Sequence, residues 1–327
     1  MLNRTEQFAL LIFSLLLLAF TCKVWAQPNL TFDSYFYSYL ISDDVAAFKA
    51  LPGLPPDFVN LPDQDYVVQE PFYTVKYLFV ALARLAAPFV GVLQAPPAVA
   101  AISYCLCGLL IWFWLRSLGV DVVWRTLAAT LIWYMPFITD AAAMGTPDLL
   151  CTLLLVSAAW LLTCTQQGYL AGVLLILSVA TRTDCVLLGG LLLLHAGWQK
   201  QVTNRFVFIV GLAMLATYWV ISRTGFPHPQ LLALVLENTH RSSYADALIH
   251  NLLAPDVALL APFVLLALIA FKLRFQTGLI HVCAASTVLR YLLLPNLESR
   301  YMVPQAVIIS VIAAAAVFRK APHVANE

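Results

Sequence analysis

The chain has 327 residues, of which 62% are hydrophobic and 11% charged, whereas soluble domains average about 45–50% and about 25%. This composition excludes an ordinary soluble domain and predicts an integral membrane protein. The formal net charge of +1 says nothing about nucleic acid, and we expect no nucleic-acid partner.

Ten stretches are apolar enough to lie in lipid, although a full span needs about 20 residues and the fifth and sixth stretches are shorter. They predict an all-α polytopic membrane protein with about ten transmembrane helices, organised as a single domain over residues 1–327. In chain order, the predicted spans cover Phe8–Ala26, Pro97–Leu115, Val122–Thr139, Leu149–Cys164, Tyr169–Thr181, Cys185–Trp198, Phe206–Ser222, Leu252–Phe271, Leu279–Leu294 and Tyr301–Phe318.

The first stretch has two interpretations, because it follows Arg4 and ends in Val24-Trp25-Ala26. A signal peptide with a cleavage site has these features. We favour an uncleaved first span, since the stretch is long for a signal core and the bulky Trp25 stands just before the cut.

Two long segments between the spans are predicted to lie outside the cytoplasm. Residues 27–96 form the first extracytoplasmic loop, and residues 223–251 form the second. Within the first loop, Pro71–Val92 is long and apolar enough to span, but a span there would reverse every later loop. We therefore expect it to be an interfacial amphipathic helix. No long hydrophilic tail follows the last span, so we expect no separate soluble C-terminal domain.

The ionisable residues divide by sign between the two sides of these spans. Of the 17 carboxylates, 14 fall on the side opposite the N-terminus. Basic loops stay in the cytoplasm, so we expect both termini there and the acidic loops on the periplasmic face, with a bacterial inner membrane as the location. The basic residues on the N-terminal side are Arg4, Arg116, Arg125, Lys200, Arg205, Lys272, Arg274, Arg319 and Lys320.

The first outer loop places a carboxylate and clustered aromatic residues directly after the first span. If Asp33 begins a helix, then Asp33, Tyr37 and Asp44 share one stripe, because eleven residues make about three turns. A catalytic interpretation makes Asp33 a general base assisted by Asp43 or Asp44, with Tyr37 as an acceptor or loop contact. The competing interpretation is a helix cap, solvated carboxylates and an interfacial aromatic belt.

Two arginines lie near the outer surface of the membrane. Burying an arginine at membrane depth costs free energy, so such a residue usually has an ion-pair partner or a function. Arg182 lies between the short fifth and sixth spans, where it binds either a phosphate or a carboxylate such as Asp140 or Asp148. Arg300 stands at the outer mouth of the last span. Either its fork of donors binds a phosphate or it makes a surface pair with Glu298.

The histidines and cysteines show no metal-ligand spacing. His240 and Arg241 in the second outer loop are weaker candidates for acceptor or loop contacts. No visible motif requires a divalent ion, so we expect no metal site. The sequence does not identify a cofactor. The cysteines fall mostly within apolar stretches, which predicts buried, inert thiols; they are Cys22, Cys105, Cys107, Cys151, Cys164, Cys185 and Cys283.

Five short motifs follow one another along nearly the whole chain. They are Asp33-Ser34-Tyr35-Phe36-Tyr37, Glu70-Pro71-Phe72-Tyr73, Gly145-Thr146-Pro147-Asp148-Leu149, Ala180-Thr181-Arg182-Thr183-Asp184 and Ser299-Arg300-Tyr301-Met302-Val303-Pro304. In this order they resemble the GT-C superfamily of membrane glycosyltransferases, especially the protein O-mannosyltransferase-like and aminoarabinose-transferase-like branch. The resemblance implies a GT-C-like fold and an enzyme that moves a sugar from a polyprenyl-phosphate carrier to a glycan, lipid or protein acceptor.

Under this resemblance Asp33 matches the first-loop aspartate of the family and acts as general base. The family's Lys-Pro motif departs here, since Glu70 precedes Pro71 and the nearest lysine is Lys76. Two alternatives stay open, namely a transporter or flippase for a lipid-linked precursor and a non-catalytic GT-C-like subunit. The residues expected to bind the donor phosphate are Arg182, Arg300, Lys76 and Tyr301.

Overall fold

The structure is a computed structural model that describes residues 2–42, 44–165, 167–225, 243–252, 261–293 and 299–319. Within these ranges every regular element is a helix, and an isolated bridge joins Val120 to Arg319. The all-α expectation is therefore confirmed for the described part of the chain.

The described helices are numbered here in chain order. A π-helical turn, Leu161–Thr165, extends α10, and a 3-10 turn, Ser299–Met302, precedes α17. The α-helices are α1 Arg4–Ala26, α2 Phe32–Ser42, α3 Val45–Lys49, α4 Pro56–Val59, α5 Asp63–Thr74, α6 Tyr77–Val90, α7 Ala95–Ser117, α8 Val122–Trp133, α9 Pro136–Ala143, α10 Asp148–Trp160, α11 Gly168–Thr181, α12 Cys185–Trp198, α13 Asn204–Ser222, α14 Tyr244–Leu252, α15 Ala261–Lys272, α16 Thr277–Leu293 and α17 Val303–Phe318.

Five of the described helices are long and apolar enough to cross a membrane, which makes the chain an integral membrane protein. They are α1, α7, α10 with its π turn, α13, and α17 with its 3-10 turn. Two bent pairs, α5 with α6 and α8 with α9, raise this number to seven if each pair is one span. The apolar helices α11, α12, α15 and α16 are shorter than 18 residues, so the count of ten spans stays a prediction.

Three of the long helices form the centre of the bundle. Within the apolar windows of α7, α10 and α17, 67%, 67% and 72% of the residues are buried, against 22% in α1 and 17% in α13. Helix α10 packs against α7, α11 and α17. The exposed apolar side chains of α1 and α13 face outward, as expected where the surrounding solvent is lipid.

Close packing of α1, α7 and α8 depends on one glycine. A Cβ atom at Gly108 would lie 2.9 Å from Leu17 and 3.0 Å from the indole nitrogen of Trp133. Such distances are well inside normal van der Waals contact, so any larger residue in α7 would push these helices apart.

The prediction of one interfacial helix over Pro71–Val92 is wrong in its bounds. Helix α5 continues through Pro71 to Thr74, and α6 begins at Tyr77 after a bend of 112°. Lys76, with a non-helical φ of −102° and ψ of 49°, forms the corner. At this corner Lys76 lies near Asp148 and Asp184, at the starts of α10 and α12.

The third predicted span, Val122–Thr139, is also broken in the structure. Helices α8 and α9 meet at a bend of 56°, and Met135 between them has an extended ψ of 129°. Pro136 explains the break, because a proline disfavours helical geometry in the residue before it.

Candidate functional site

One end of the bundle carries a pocket, here called the outer pocket, formed where six segments of the chain meet. These segments are the start of α2, the α5–α6 corner, the turn before α10, the α11–α12 turn, the end of α16 and the 3-10 turn. Its charged or phenolic lining residues are Asp33, Tyr37, Lys76, Asp148, Arg182, Asp184, Arg290, Arg300 and Tyr301.

Asp33 lies in the first turn of α2 and directs its carboxylate into the outer pocket. Its Oδ2 accepts a hydrogen bond from Arg300 Nη1 at 2.7 Å. Its Oδ1 accepts one from the hydroxyl of Tyr73 at 2.8 Å. Arg300 therefore pairs with Asp33, a partner that the sequence analysis did not propose. Each carboxylate oxygen retains a second lone pair, so the group can still accept a proton.

Arg182 holds two carboxylates that come from different helices. Its Nη1 contacts Asp148 at the start of α10, and its Nε and Nη2 donate to Asp184 at 3.1 and 2.7 Å. Arg290, near the end of α16, donates from Nε to the same Asp184 at 3.1 Å. The sequence left phosphate binding and ion pairing open for Arg182, and the structure contains the ion pair with Asp148. Asp140, the other proposed partner, is exposed.

The turn before α10 explains how Asp148 reaches this position. Gly145 has a positive φ of 64°, and a Cβ atom there would lie 3.1 Å from Pro97 of α7. Both observations favour glycine. The next residue, Thr146, donates its hydroxyl to Asp148 Oδ2 at 2.5 Å. Asp148 and Arg182 are 4% and 8% exposed, so each charge is desolvated and depends on the other.

The pKa values of the α11–α12 turn follow from these contacts. Burial acts to raise the pKa of Asp184, but Arg182 and Arg290 outweigh it and hold that pKa well below its usual range. Burial likewise acts to lower the pKa of Arg182, and Asp184 and Asp148 reverse the sign, so it lies above its usual value. Asp184 and Arg182 are therefore both charged at neutral pH.

A single aromatic ring organises the three arginines of the outer pocket. The ring centroid of Tyr301 lies 4.6 Å from Cζ of Arg182, 4.1 Å from that of Arg290 and 5.0 Å from that of Arg300. Its hydroxyl also accepts a hydrogen bond from Arg300 Nη2 at 3.3 Å. The negative face of a phenol ring attracts guanidinium groups at such distances, so Tyr301 gathers these cations at one wall.

Lys76 is the pocket cation that differs from the arginines. Its ammonium donates to the carbonyl of Phe72. It also lies 4.2 Å from the centroid of the Phe72 ring. It makes no ion pair with a carboxylate of the residues that the structure describes. Burial and the charge of Arg182 lower the pKa of Lys76 to about 8, against the opposite effect of the nearby aspartates.

The outer pocket combines groups that can take a proton with groups that can bind an anion. Within the described ranges, four basic and three acidic side chains line it, which leaves one positive charge in excess when all are ionised. Three arginines already contact carboxylates, whereas the described contacts of the Lys76 ammonium are the carbonyl of Phe72 and the rings of Phe72 and Tyr73. An anionic group entering the pocket would therefore find its least engaged cation at the α5–α6 corner.

Not every predicted site residue reaches the outer pocket. Tyr37 lines it and is 3% exposed. Asp44 does not line it but caps α3, where its carboxylate accepts hydrogen bonds from the backbone of Ala46 and Ala47. The predicted residues Asp43, His240 and Arg241 lie outside the described residues.

The structure adds residues that the sequence analysis did not assign to the site. Arg290 stands near the end of a predicted span, and its contact with Asp184 joins residues 106 positions apart. Tyr73 stands in the motif Glu70-Pro71-Phe72-Tyr73, but its contact with Asp33 joins residues 40 positions apart and has no local pattern in the sequence. The prediction of inert thiols is wrong for two cysteines, since Cys151 and Cys185 form a disulfide between the starts of α10 and α12. No cluster suited to a metal ion occurs among the histidine, cysteine and acidic residues within the described ranges.

Comparisons of the chain with protein-family models, with curated proteins and with solved structures returned no match. The observations that bear on function are therefore the residues and charges of the outer pocket. The resemblance to GT-C glycosyltransferases stays a prediction from the sequence motifs.

Proposed function

We propose that the chain is a membrane glycosyltransferase of GT-C type. It transfers a sugar from a polyprenyl-phosphate carrier to a glycan, lipid or protein acceptor, with inversion at the sugar carbon. Asp33 is the general base of this reaction. The donor phosphate is bound by Lys76, with Arg182, Arg300 and Tyr301 forming the opposite wall.

The observation that carries this proposal is the meeting of Asp33 with four basic side chains at one end of an apolar bundle. A lipid-linked sugar has its reactive bond at the membrane surface, between a lipid tail and a polar acceptor. The outer pocket lies at the ends of the long helices α10 and α17, where such a bond would be presented. Buried charges at this depth are costly and so are usually functional.

The reaction needs one base and one stabilised leaving group. The acceptor oxygen forms a bond to the anomeric carbon while the bond from that carbon to the phosphate oxygen breaks. The acceptor proton passes to Asp33, and the electron pair of the broken bond stays on the polyprenyl phosphate. Basic side chains stabilise the charge that develops there, and no further reactant is required.

Arg300 and Tyr73 position the base. Each binds one oxygen of Asp33, from two different segments of the chain, and so restricts rotation of the carboxylate. An oriented carboxylate loses less entropy on meeting the acceptor hydroxyl. The positive charge of Arg300 also adds to the wall that faces the donor phosphate.

We place the outer pocket on the extracytoplasmic face, with both termini in the cytoplasm of a bacterial cell. Two observations support this orientation. The basic residues of the short loops fall on the opposite side of the spans. The Cys151–Cys185 disulfide adjoins the outer pocket, and disulfides persist in oxidising compartments such as the periplasm.

The test is transfer by the purified full chain in lipid nanodiscs. A sugar-loaded polyprenyl phosphate is supplied with a candidate acceptor mixture, and the released polyprenyl phosphate is measured. We expect Asp33→Asn to lower the rate at least a hundredfold, because general bases contribute about 10²–10⁴-fold. The matched control is Asp57→Asn, which removes an exposed carboxylate of α4 in the same outer segment. Equal rates for wild type and Asp33→Asn would exclude Asp33 as the base.

The same preparation separates the two alternatives. A flippase would move the intact donor across the bilayer without releasing polyprenyl phosphate. A non-catalytic subunit would do neither, and substitution of Asp33 or Arg300 would leave the cell-surface glycans unchanged. The long acidic outer segment and the carboxylate within the outer pocket favour bond-making over transport.

A further inference from the structure

Two turns of the chain meet at the end of the bundle opposite to the outer pocket. Helix α12 begins beside the outer pocket and ends here, whereas α13 and α16 begin here. A Cβ atom at Gly197, near the end of α12, would lie 2.8 Å from Val207 of α13. A Cβ atom at Gly278, near the start of α16, would lie 3.0 Å from Nε2 of His195 in α12. These close approaches bring the α12–α13 turn and the α15–α16 turn together.

The two turns carry four basic side chains, here called the inner basic surface. Lys200 and Arg205 belong to the first turn, and Lys272 and Arg274 to the second; all four are exposed. Within the described ranges, none of them lies within 4.0 Å of a carboxylate oxygen. Helices α12, α13, α15 and α16 contain no acidic residue within their bounds. The inner basic surface therefore carries an excess of positive charge.

Two carboxylates of the described residues lie at the same end of the bundle, but on other helices. Glu6 of α1 accepts hydrogen bonds from Arg125 Nη2 at 2.9 Å and from Arg116 Nε at 3.2 Å. Asp121 caps α8 and accepts a hydrogen bond from the backbone of Val123 at 3.2 Å. Neither α1 nor α8 is among the main packing partners of the helices that carry the inner basic surface.

Helix capping explains some of these cations but not all of them. Lys200 and Arg274 follow the ends of α12 and α15 with positive φ values of 56° and 50°. In both turns the next N–H bonds back to the carbonyl five positions earlier, which is a helix end that usually contains glycine. A cation near a helix C-terminus is favourable, so the dipole also accounts for Lys272. Arg205 stands in the first turn of α13, where the same dipole disfavours a positive charge.

Large apolar side chains border the inner basic surface. Each of four stands within three positions of one of the cations, and they are Trp198, Phe208, Phe271 and Leu273, with exposures of 85%, 70%, 51% and 47%. Acyl chains cover exposed apolar side chains of a membrane protein, and tryptophan prefers the level of the headgroups. Cations directly above such side chains match a molecule whose negative charge is attached to acyl chains. This arrangement favours a lipid over a soluble acidic protein.

We propose that the inner basic surface binds an anionic phospholipid, which has a phosphate and no ammonium in its headgroup. The phosphate lies among the four cations, and the acyl chains run along the exposed apolar side chains of α12, α13 and α15. Each Lys or Arg near an anionic headgroup strengthens binding by about fivefold. This inference is independent of the glycosyltransferase proposal, because the two sites lie at opposite ends of the bundle.

Native mass spectrometry of the full chain in detergent tests the inference. Phosphatidylglycerol and phosphatidylcholine with the same acyl chains are added in turn, and the Kd of the first lipid retained is measured. Phosphatidylglycerol should bind at least about tenfold more tightly, because the choline ammonium cancels the charge that the four cations attract. Soluble glycerophosphoglycerol, which lacks the acyl chains, should compete only weakly.

Two pair variants test the two turns separately. Lys200→Gln/Arg205→Gln and Lys272→Gln/Arg274→Gln each remove two charges from exposed positions. Each should raise the Kd of phosphatidylglycerol at least about tenfold and leave that of phosphatidylcholine nearly unchanged. Thermal unfolding without added lipid verifies folding, and either pair suffices if the other does not fold. The comparison of the two lipids uses wild type and does not depend on the variants.

The matched control removes two exposed cations from the other end of the bundle. Lys23 lies in the last turn of α1 and Arg223 follows α13. Both also stand near exposed tryptophans, Trp25 and Trp219. Lys23→Gln/Arg223→Gln changes the net charge by the same amount as each pair variant, and it should alter the Kd of phosphatidylglycerol less than about twofold.

Four outcomes would overturn the inference. Equal Kd values for the two lipids would show that the negative charge has no role. An unchanged Kd of phosphatidylglycerol in both pair variants, or an equal rise in the control, would place binding elsewhere. Competition by glycerophosphoglycerol as strong as that by the intact lipid would indicate a surface for soluble anions instead of a lipid site.

Discussion

The pH dependence of donor binding tests the role given to Lys76. Its pKa of about 8 lies below the ordinary value of about 10.4, which corresponds to a bias of about 3 kcal/mol toward the neutral amine. Since this pKa is lowered, the ammonium is present below about pH 8 and is lost as the pH rises through it. An arriving phosphate would favour the ammonium and raise the pKa again.

The expected loss of affinity follows from the charged fraction. Lys76 is about 90% protonated at pH 7 and about 10% protonated at pH 9 for a pKa of about 8. If only the ammonium binds the phosphate, the donor Kd rises about tenfold between these pH values. A sugar-linked phosphodiester serves as the ligand, because it has no second ionisation in this range. Asp184, which faces Lys76, has a pKa far below it and stays ionised.

The assay compares wild type with Lys76→Arg in nanodiscs. The donor Kd is measured at half-unit intervals from pH 7 to pH 9. An arginine stays charged throughout this range, so the variant should bind with little change in Kd. A rise in Kd of equal size in both proteins would refute the assignment, because the titrating group would then be another residue. A flat profile in wild type would refute it as well.

Three further predictions concern the framework of the outer pocket. Asp184→Asn should lower the free energy of unfolding by about 3–5 kcal/mol, because it leaves two buried guanidiniums without their shared partner; thermal unfolding in detergent measures this, and an unchanged midpoint would contradict it. Tyr301→Leu should weaken donor binding about tenfold, whereas Tyr301→Phe keeps the ring and should change the donor Kd less than about threefold. Similar losses of donor affinity in both variants would show that the hydroxyl acts instead of the ring. Reduction of Cys151–Cys185, which closes a loop with a sequence separation of 34, should lower stability by about 4 kcal/mol. A Cys151→Ser/Cys185→Ser double variant should unfold at the lower temperature with or without reductant, and an effect of reductant on that variant would assign the loss elsewhere.

The sequence determined the elements of this protein more fully than their arrangement. Hydropathy alone located α7, α12 and α13 to within about two residues. A segment in lipid must pair its own backbone groups, which favours a helix, and its side chains must be apolar over a continuous run. The bends at Lys76 and Met135 were less accessible. A proline accounts for the second bend. The first bend is not at a proline, because α5 continues past Pro71 to Thr74 and the chain turns at Lys76.

The outer pocket divides in the same way. Asp33, Arg182 and Arg300 could be identified in the sequence, since an ionisable residue beside an apolar span carries a cost that demands an explanation. Asp148 was among the partners proposed for Arg182, but Asp33 was not proposed for Arg300, because these two residues meet across 267 positions. Arg290 likewise meets Asp184 across 106 positions. No local pattern encodes such pairs; they form only when the helix ends converge. For that reason tertiary structure alone decided that the ring of Tyr301 lies beside three guanidiniums and that Lys76 makes no ion pair with a described carboxylate.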